Sequence, residues 1–352
     1  MKNIEKYRTL LNDEVQGLFL TSRYSRMYAA EFDIAEGYAI LGKNGARYFT
    51  DSRYIESAQN NIKDFEVVDF GRDLFGCLNK AIEELGIETL GFEDGYLTVC
   101  EYNLFSEKIH AAFVPMQEKI NAFRAAKEPW EIERMQKAQD ITDRAFTEVC
   151  GRIREGMTEK ELAAELIYCL YKNGGEGLSF DPIVVSGPNT SMPHGVPGDR
   201  KLQKGDFITL DFGVIYQGYC SDMTRTVALG YATDEMKKVY QTVLDAQLAG
   251  IAISKAGVSG KAVDGAARDL IAAAGYGEYF GHGYGHSLGL YIHEDPNCNP
   301  RNEAPIPLHA VCSAEPGIYI PGKFGVRIED VVVFEENGCT ILTKSPKNLI
   351  IL

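Results

Sequence analysis

The second half of this chain repeats one pattern of predicted helices and strands, and this repeat is the strongest constraint on its fold. In each copy, two helical stretches are followed by two strand-like stretches. Residues 156–160 (Gly-Met-Thr-Glu-Lys) align with residues 257–261 (Gly-Val-Ser-Gly-Lys) where the second helix of each copy begins. Two similar halves that pack face to face would bring the strands of both copies to one shared interface.

Each copy also carries two acidic residues on its strands. The first copy has Asp211 and Asp222, and the second copy has Glu315 and Glu329. His286 lies between the two pairs, in the segment Gly-His-Gly-Tyr-Gly-His. Four carboxylates and one imidazole suit a pair of divalent ions such as Mn²⁺ better than a metal that prefers thiolates. If these residues converge, they form a two-metal site of the kind that activates water for hydrolysis.

Strand geometry gives the first pair some support. Alternation places Asp211 on the face opposite to Leu210 and Phe212. A turn over residues 216–218 would put Asp222 roughly opposite Asp211 on the next strand, within about 5 Å between Cβ atoms. Two carboxylates this close repel each other unless they are protonated or share a cation. The hairpin alone leaves two interpretations open, a metal-binding pair or two solvated side chains on an exposed sheet face.

The other candidate residues are ambiguous when each is taken alone. Arg327 shares a strand face with Glu329, which also fits an ordinary surface ion pair, and Glu315 precedes a Pro-Gly turn signal. His282 and His286 are four residues apart, but the glycines between them predict a loop rather than the helix of a His-Glu-x-x-His site. Four of the six histidines lie beside turn and strand motifs in this half, which favours a chemical role; they are His194, His282, His286 and His293.

Length and charge set the remaining bounds. A chain of 352 residues is long enough for two domains, and we place them at residues 1–124 and 125–352. In the first domain, residues 37–42 and 46–50 predict a hairpin, and residues 74–85 predict a helix. The net charge of −14 argues against nucleic acid or an anionic membrane as a partner.

The sequence also predicts where the protein works. No stretch has the apolar length of a membrane span, and the N-terminus has no apolar signal core. The eight cysteines form no Cys-x-x-Cys pair, so we expect thiols in a reducing cytosol rather than a disulfide framework. These features predict a cytoplasmic protein.

The ordered motifs of the second domain resemble those of the pita-bread metallopeptidases, the family of aminopeptidase P, Xaa-Pro dipeptidase (prolidase) and methionine aminopeptidase. The motifs are Ser186-Gly-Pro-Asn-Thr-Ser-Met-Pro-His194, Leu-Asp211-Phe-Gly, Ser-Asp222-Met-Thr-Arg-Thr, Gly-His282-Gly-Tyr-Gly-His286, His293-Glu-Asp-Pro, Glu315-Pro-Gly and Arg327-Ile-Glu329-Asp. The first domain, with Tyr-Phe-Thr-Asp-Ser-Arg-Tyr54, resembles the creatinase-like domain of the proline-specific branch, which methionine aminopeptidases usually lack.

This resemblance implies an α+β architecture, in which a C-terminal pita-bread domain with an internal pseudo-twofold repeat follows a smaller α/β creatinase-like domain. It implies two divalent metal ions, with Mn²⁺ favoured over Co²⁺, Zn²⁺ or Fe²⁺. Asp222 and Glu329 would bridge the ions, Asp211 would complete one, and His286 with Glu315 would complete the other. A water or hydroxide held between the ions would be the nucleophile.

The resemblance also implies roles in handling the substrate. Glu315 would act as the general base, and His293 would donate to the carbonyl oxygen of the scissile bond. His194 would assist protonation of the leaving nitrogen. His282 would contact the proline side of the substrate, and Arg327 would orient the carboxylates that bind metal.

The implied reaction is hydrolysis of the Xaa-Pro bond at the N-terminus of short peptides, with prolidase as the alternative to aminopeptidase P. A prolidase must capture the free proline carboxylate, and the sequence identifies no residue for that task, which favours aminopeptidase P. A non-catalytic peptide-binding module and a metal-free, creatinase-like amidinohydrolase are rivals, and both are expected to lack part of the ligand set. The family often forms homodimers, and Tyr54 is a candidate for the contact with the partner's site.

Overall fold

Two units make up the chain in the computed structural model, which describes residues 2–33 and 36–352. They are Met1–Arg124 and Ala125–Leu352, called unit 1 and unit 2 below. Hydrophobic clusters lie in unit 1 and in both halves of unit 2. Among residues 2–33 and 36–352, no helix is long and apolar enough to cross a membrane.

Unit 1 builds alternating helices and strands around one mixed sheet of order β4-β3-β2-β1-β5-β6. Its helices are α1 (Asn3–Arg8), α2 (Arg23–Ala30), α3 (Ile55–Asn61), α4 (Leu74–Leu85), α5 (Val99–Lys108) and α6 (Gln117–Ala125). Its strands are β1 (Gly17–Leu20), β2 (Tyr38–Gly42), β3 (Ala46–Thr50), β4 (Glu66–Asp69), β5 (Thr89–Phe92) and β6 (Ala112–Pro115). The predicted hairpin and helix both form, and Gly86, in the left-handed conformation at φ 65°, ends α4.

Unit 2 arranges its helices and strands in two successive halves. Its helices are α7 (Pro129–Cys150), α8 (Glu159–Lys172), α9 (Asp234–Ile253) and α10 (Gly260–Ala273). The strands of the first half are β7 (Gly177–Leu178), β8 (Ile183–Ser186), β9 (Phe207–Phe212), β10 (Val214–Tyr216), β11 (Tyr219–Cys220) and β12 (Met223–Ala228). The strands of the second half are β13 (Gly285–Ser287), β14 (Glu294–Cys298), β15 (Val311–Ala314), β16 (Gly317–Ile320), β17 (Phe324–Arg327), β18 (Asp330–Glu335) and β19 (Gly338–Ile341).

Each half of unit 2 buries its own apolar layer between helices and strands. One cluster packs α7 and α8 against β8, β9 and β12. The other packs α9 and α10 against β15, β17 and β18. Helix α7 buries one face at helical spacing, through Met135, Ala138, Ile141, Ala145 and Val149. The core therefore lies behind the strands, and the opposite strand faces remain for the site.

The internal repeat is visible in matching backbone hydrogen bonds. Gly156 donates its backbone N–H to Leu202 O, and Gly257 donates to Ile306 O, both at 2.9 Å. Both glycines have φ near 85°, a conformation that costs glycine little. Thr158 forms a capping box with Glu161 at the start of α8. The repeat predicted from the sequence is confirmed.

One pair of equivalent positions differs sharply between the halves. The carboxylate of Glu159 is buried and accepts from the backbone N–H groups of Ser186 (2.7 Å) and Gly198 (2.9 Å), and so holds both ends of the loop between them. The corresponding residue of the second half is Gly260, where an added Cβ would lie 2.1 Å from Asn297 O. In the first half, a charged side chain thus fixes the loop between Ser186 and Gly198. In the second half, the backbone at Asn297 occupies the equivalent position.

Two strand-like stretches of the second half are interrupted beside the acidic residues. Residues 310–320 form β15 and β16 with Glu315 between them, and residues 324–334 form β17 and β18 with Glu329 between them. Pro316 cannot donate to a ladder, and Glu329 N–H donates instead to Thr224 O of the first half, at 3.1 Å. Each break directs a carboxylate out of its ladder and towards the site.

Candidate metal centre

All five predicted metal ligands line one cavity of unit 2. Asp211 is on β9, Asp222 precedes β12, His286 is on β13, Glu315 follows β15, and Glu329 precedes β18. Ligand atoms of Asp222, His286 and Glu329 lie within 4.8 Å of one another. His286 Nε2 is 3.6 Å from Asp222 Oδ2 and 3.3 Å from Glu315 Oε1. The first half supplies two carboxylates, and the second half supplies the other three groups.

The register of the hairpin differs from the sequence prediction. Thr224, and not Asp222, lies opposite Asp211 in the ladder between β9 and β12. The strand-like stretch over residues 218–229 is divided in two, because β11 pairs with β10 and β12 pairs with β9. Ser221 still follows the first pairing, with its N–H 2.9 Å from Val214 O. Asp222 therefore sits just outside the ladder, where its side chain reaches His286.

A chain of hydrogen bonds connects the carboxylates of the two halves. Arg327 Nη2 donates to Asp211 Oδ2 at 2.5 Å, Nη1 donates to Tyr319 Oη at 2.8 Å, and Nε donates to Thr224 Oγ1 at 3.0 Å. Thr224 Oγ1 donates in turn to Glu329 Oε2 at 2.7 Å. Arg327 is therefore not the partner of Glu329 in a surface ion pair, because it is buried and bound to Asp211.

Several buried carboxylate oxygens of the site have surroundings that favour a bound cation. Burial, followed by the nearby carboxylates, raises the pKa of Asp222 and of Glu329 well above the usual range. Burial also raises the pKa of Glu315. Within the described residues, Asp211 Oδ1 and Asp222 Oδ1 are buried with no hydrogen-bond partner. A buried carboxylate oxygen without a partner destabilises the folded state. Carboxylate oxygens are ligands that hard divalent cations prefer, so these residues fit a metal.

The imidazoles of His286 and His293 are suited to different tasks. Burial lowers the pKa of both rings, so both are neutral near pH 7. His286 Nδ1 lies 3.2 Å from Ser287 O, which places the proton on Nδ1 and leaves the Nε2 lone pair facing Asp222 and Glu315. The two rings meet edge to face with centroids 4.5 Å apart. His286 can therefore bind a metal while His293 faces the adjoining space.

Three further residues position the site, and the sequence motifs did not single them out in these roles. Tyr319 Oη lies 2.8 Å from His282 Nε2, and burial raises the pKa of Tyr319 to about 12. Arg268 Nη2 donates to His282 O at 2.6 Å, and so holds the glycine-rich loop. Arg225 is buried, forms an ion pair with Asp330 at 2.7 Å, and donates to the backbone carbonyl of Glu329. Arg225 lies within a quoted motif, and Arg268 is four residues from its partner Asp264, a spacing that could have indicated the pair.

The cavity beside these residues has a volume of about 980 Å³. Its lining includes His194, His282 and His293. Apolar walls come from residues that include Phe180 and Ile183, and the exposed Arg301 lines it as well. The space therefore offers imidazoles on one side, apolar surface on another, and an accessible cation.

Two family models match the chain. The model described as metallopeptidase family M24 matches residues 133–336. The model described as creatinase/prolidase N-terminal domain matches residues 4–126. Together they include almost the whole chain.

Similar proteins are also found over the full length. An uncharacterised peptidase of Bacillus subtilis is 42% identical over 99% of this chain and 99% of its own length. The structure of an Xaa-Pro dipeptidase from Bacillus anthracis has a TM-score of 0.96 and 41% identity, and covers 100% of this chain and 99% of that one. The structure of an X-Pro aminopeptidase from Thermotoga maritima MSB8 has a TM-score of 0.94 and 38% identity, and covers 100% of both chains.

Proposed function

This chain belongs to metallopeptidase family M24 and carries a creatinase/prolidase N-terminal domain, and from this premise we propose that it is an exopeptidase that hydrolyses an N-terminal Xaa-Pro bond in short peptides. The observation that carries the proposal is that all five predicted metal ligands and three predicted substrate histidines line one cavity. A non-catalytic peptide-binding module or a metal-free amidinohydrolase has no need of this full set.

We assign two divalent ions to the carboxylate cluster, with Mn²⁺ favoured by the hard oxygen donors and Co²⁺, Zn²⁺ or Fe²⁺ as alternatives. Asp222 and Glu329 would lie between the ions, Asp211 would hold one, and His286 with Glu315 would hold the other. When bound, the ions supply the positive charge that makes water a nucleophile at neutral pH. Metal analysis tests the assignment, because a protein that binds no divalent ion even after addition of Mn²⁺ cannot work in this way.

The remaining side chains would orient the peptide and move protons. His293, kept neutral by its lowered pKa, would donate an N–H to the carbonyl oxygen as negative charge develops there. Glu315, whose pKa burial raises, would accept a proton released during hydrolysis. His194 is exposed, so it can draw a proton from solvent for the leaving nitrogen. His282, fixed by Tyr319, would face the proline, and Arg327 would hold Asp211 in place.

Proline specificity has a physical reason in this arrangement. The nitrogen of an Xaa-Pro bond carries no hydrogen, and the ring fixes φ. A peptidase that binds its substrate as an added strand loses one hydrogen bond at that residue. A cavity with an apolar wall and imidazoles near the carbonyl and the nitrogen does not depend on that bond.

Aminopeptidase P and prolidase are both supported, and one residue favours the second. The exposed guanidinium of Arg301 lines the cavity, and a guanidinium binds a terminal carboxylate well. Hydrolysis of Ala-Pro and Ala-Pro-Ala by the Mn²⁺-loaded protein separates the two activities. Cleavage of the dipeptide alone means a prolidase, and efficient cleavage of the tripeptide means an aminopeptidase P. Turnover of neither peptide would contradict the proposal.

Three properties extend the proposal. We assign residues 1–124 to the creatinase-like domain and residues 125–352 to the catalytic domain. All eight cysteines are thiols in the structure, which supports a reducing compartment such as the cytosol. A homodimer stays a prediction, which light scattering of the purified protein tests.

A further inference from the structure

Lys127 is a buried lysine that neither family match includes, because the matches end at residue 126 and resume at residue 133. Its side chain is 1% exposed. Its backbone N–H donates to His309 O at 3.0 Å. An ammonium group that has lost its water needs acceptors close by, so the contacts of Lys127 indicate what it holds.

The ammonium group reaches two residues that directly follow site histidines. Lys127 Nζ lies 3.1 Å from Ser287 Oγ and 3.2 Å from Glu294 Oε2. Ser287 follows His286, and Glu294 follows His293. A single cation therefore joins the two ends of the segment 287–294, which leads from the metal-ligand candidate to the substrate-contact candidate.

The segment itself fits closely around this ion pair. An added Cβ at Gly289 would lie 2.7 Å from Glu294 Oε2 and 3.1 Å from Lys127 Cε. Glu294 Oε1 also accepts the backbone N–H of Tyr291 at 3.2 Å. Glycine is thus required where the backbone passes the ammonium group, and the carboxylate ties the middle of the segment to its end.

We propose that Lys127 is a positioning residue, which holds the segment 287–294 so that the ring of His293 meets that of His286 at 4.5 Å. Its effect on catalysis rests on the proposed function, because it assumes that His293 donates to the substrate. Its effect on the two rings depends only on the structure.

The kinetic test uses K127M and E294Q in the Mn²⁺-loaded, full-length protein. E294Q keeps the size of the side chain and an oxygen that can accept from Tyr291, but it removes the carboxylate that pairs with Lys127. It therefore tests the same contact from the other side if K127M fails to fold. We expect kcat for Xaa-Pro peptides to fall about 100-fold, because a small misplacement of a catalytic group has an effect of this size. KM should change much less. V149A, which opens the buried core of α7 away from the segment, is the control for lost stability and should keep the wild-type kcat.

The second test follows the rings directly in metal-free protein with isotope-labelled histidine. The signals of His286 and His293, identified from H286Q and H293Q, should shift in E294Q, and the signal of the exposed His110 in unit 1 should not. Unmoved ring signals overturn the proposal, and so does a kcat within about twofold of the V149A control. If the wild-type protein cleaves no Xaa-Pro peptide, the proposed function fails, and the ring signals still decide the role of Lys127.

Discussion

Arg327 Nη2 lies 2.5 Å from Asp211 Oδ2, and this contact joins the two halves of the catalytic unit at the metal centre. Asp211 is on β9 of the first half, and Arg327 ends β17 of the second half. The same guanidinium also donates to Tyr319 and Thr224. One buried cation thus fixes the orientation of a candidate metal ligand from the opposite half.

Replacement of Arg327 by methionine should weaken the metal site without unfolding unit 2. Asp211 would lose the donor that orients it, and outer partners of metal ligands are worth about 10–100-fold in metal affinity or activity. Calorimetric titration with Mn²⁺ and measurement of kcat check this expectation. R152M is the matched control, because Arg152 pairs with Glu165 away from the cavity, and it should bind Mn²⁺ as the wild type does. Wild-type affinity in R327M would contradict the role.

Replacement of Asp222 by asparagine should abolish peptidase activity and yet make the metal-free protein more stable. The buried carboxylate of Asp222 is repelled by Asp211 and Glu315, and an amide removes that repulsion. Thermal unfolding without metal should therefore give a higher midpoint, by about 2–4 °C for each kcal/mol gained in a unit of this size. Wild-type turnover in D222N would rule out Asp222 as a ligand shared by the ions.

The effect of Glu329 on stability should depend on pH in the metal-free protein. The pKa of Glu329 is raised above its ordinary value of 4.5 by burial and by Asp222. The folded state therefore holds a proton that the unfolded chain releases, so Glu329 costs stability as the pH rises from about 4.5 through its folded pKa. E329Q cannot ionise, and its advantage in free energy of unfolding over the wild type should be small at pH 4 and grow towards neutral pH.

Denaturant unfolding of both proteins across this pH range measures the difference. A constant difference between E329Q and the wild type would contradict the raised pKa. Addition of Mn²⁺ near neutral pH should reverse the order, because the wild type binds the ion and E329Q lacks a ligand.

Two glycine-to-alanine substitutions should change stability in opposite directions. An added Cβ at Gly285, on β13 beside His286, would lie 2.0 Å from Ser313 O. G285A should therefore destabilise unit 2 by about 1–3 kcal/mol, through forced movement of the strands. Gly265 in α10 has no atom within 4 Å of the added Cβ, so G265A should stabilise the helix by about 0.5–1 kcal/mol. Equal midpoints for the two variants would contradict both expectations.

The family, the fold class and the internal repeat could all be predicted from the sequence. Local signals also predicted individual elements, such as the hairpin of residues 37–42 and 46–50 and the helix of residues 74–85. The ordered motifs identified all five ligand candidates, and these do line one cavity.

The errors share one physical cause, which is that residues far apart in sequence decide where a strand stops. Alternation predicted that Asp222 lies across from Asp211, but Ser221 still pairs with Val214, and the ladder with β9 begins only at Met223. Glu329 leaves its ladder because Thr224 of the other half accepts its N–H. Lys127 fell at the predicted domain boundary, and its partners lie about 160 residues further along the chain.

Glu159 and Gly260 occupy equivalent positions in the two halves of unit 2, and their difference limits how the halves can be redesigned. Each of these residues fits only the surroundings of its own half. Glutamate at position 260 would collide with Asn297 O, and glycine at position 159 would leave the donors of Ser186 and Gly198 without their acceptor. A single residue therefore cannot be exchanged between the halves at this position unless the loop that surrounds it is exchanged as well.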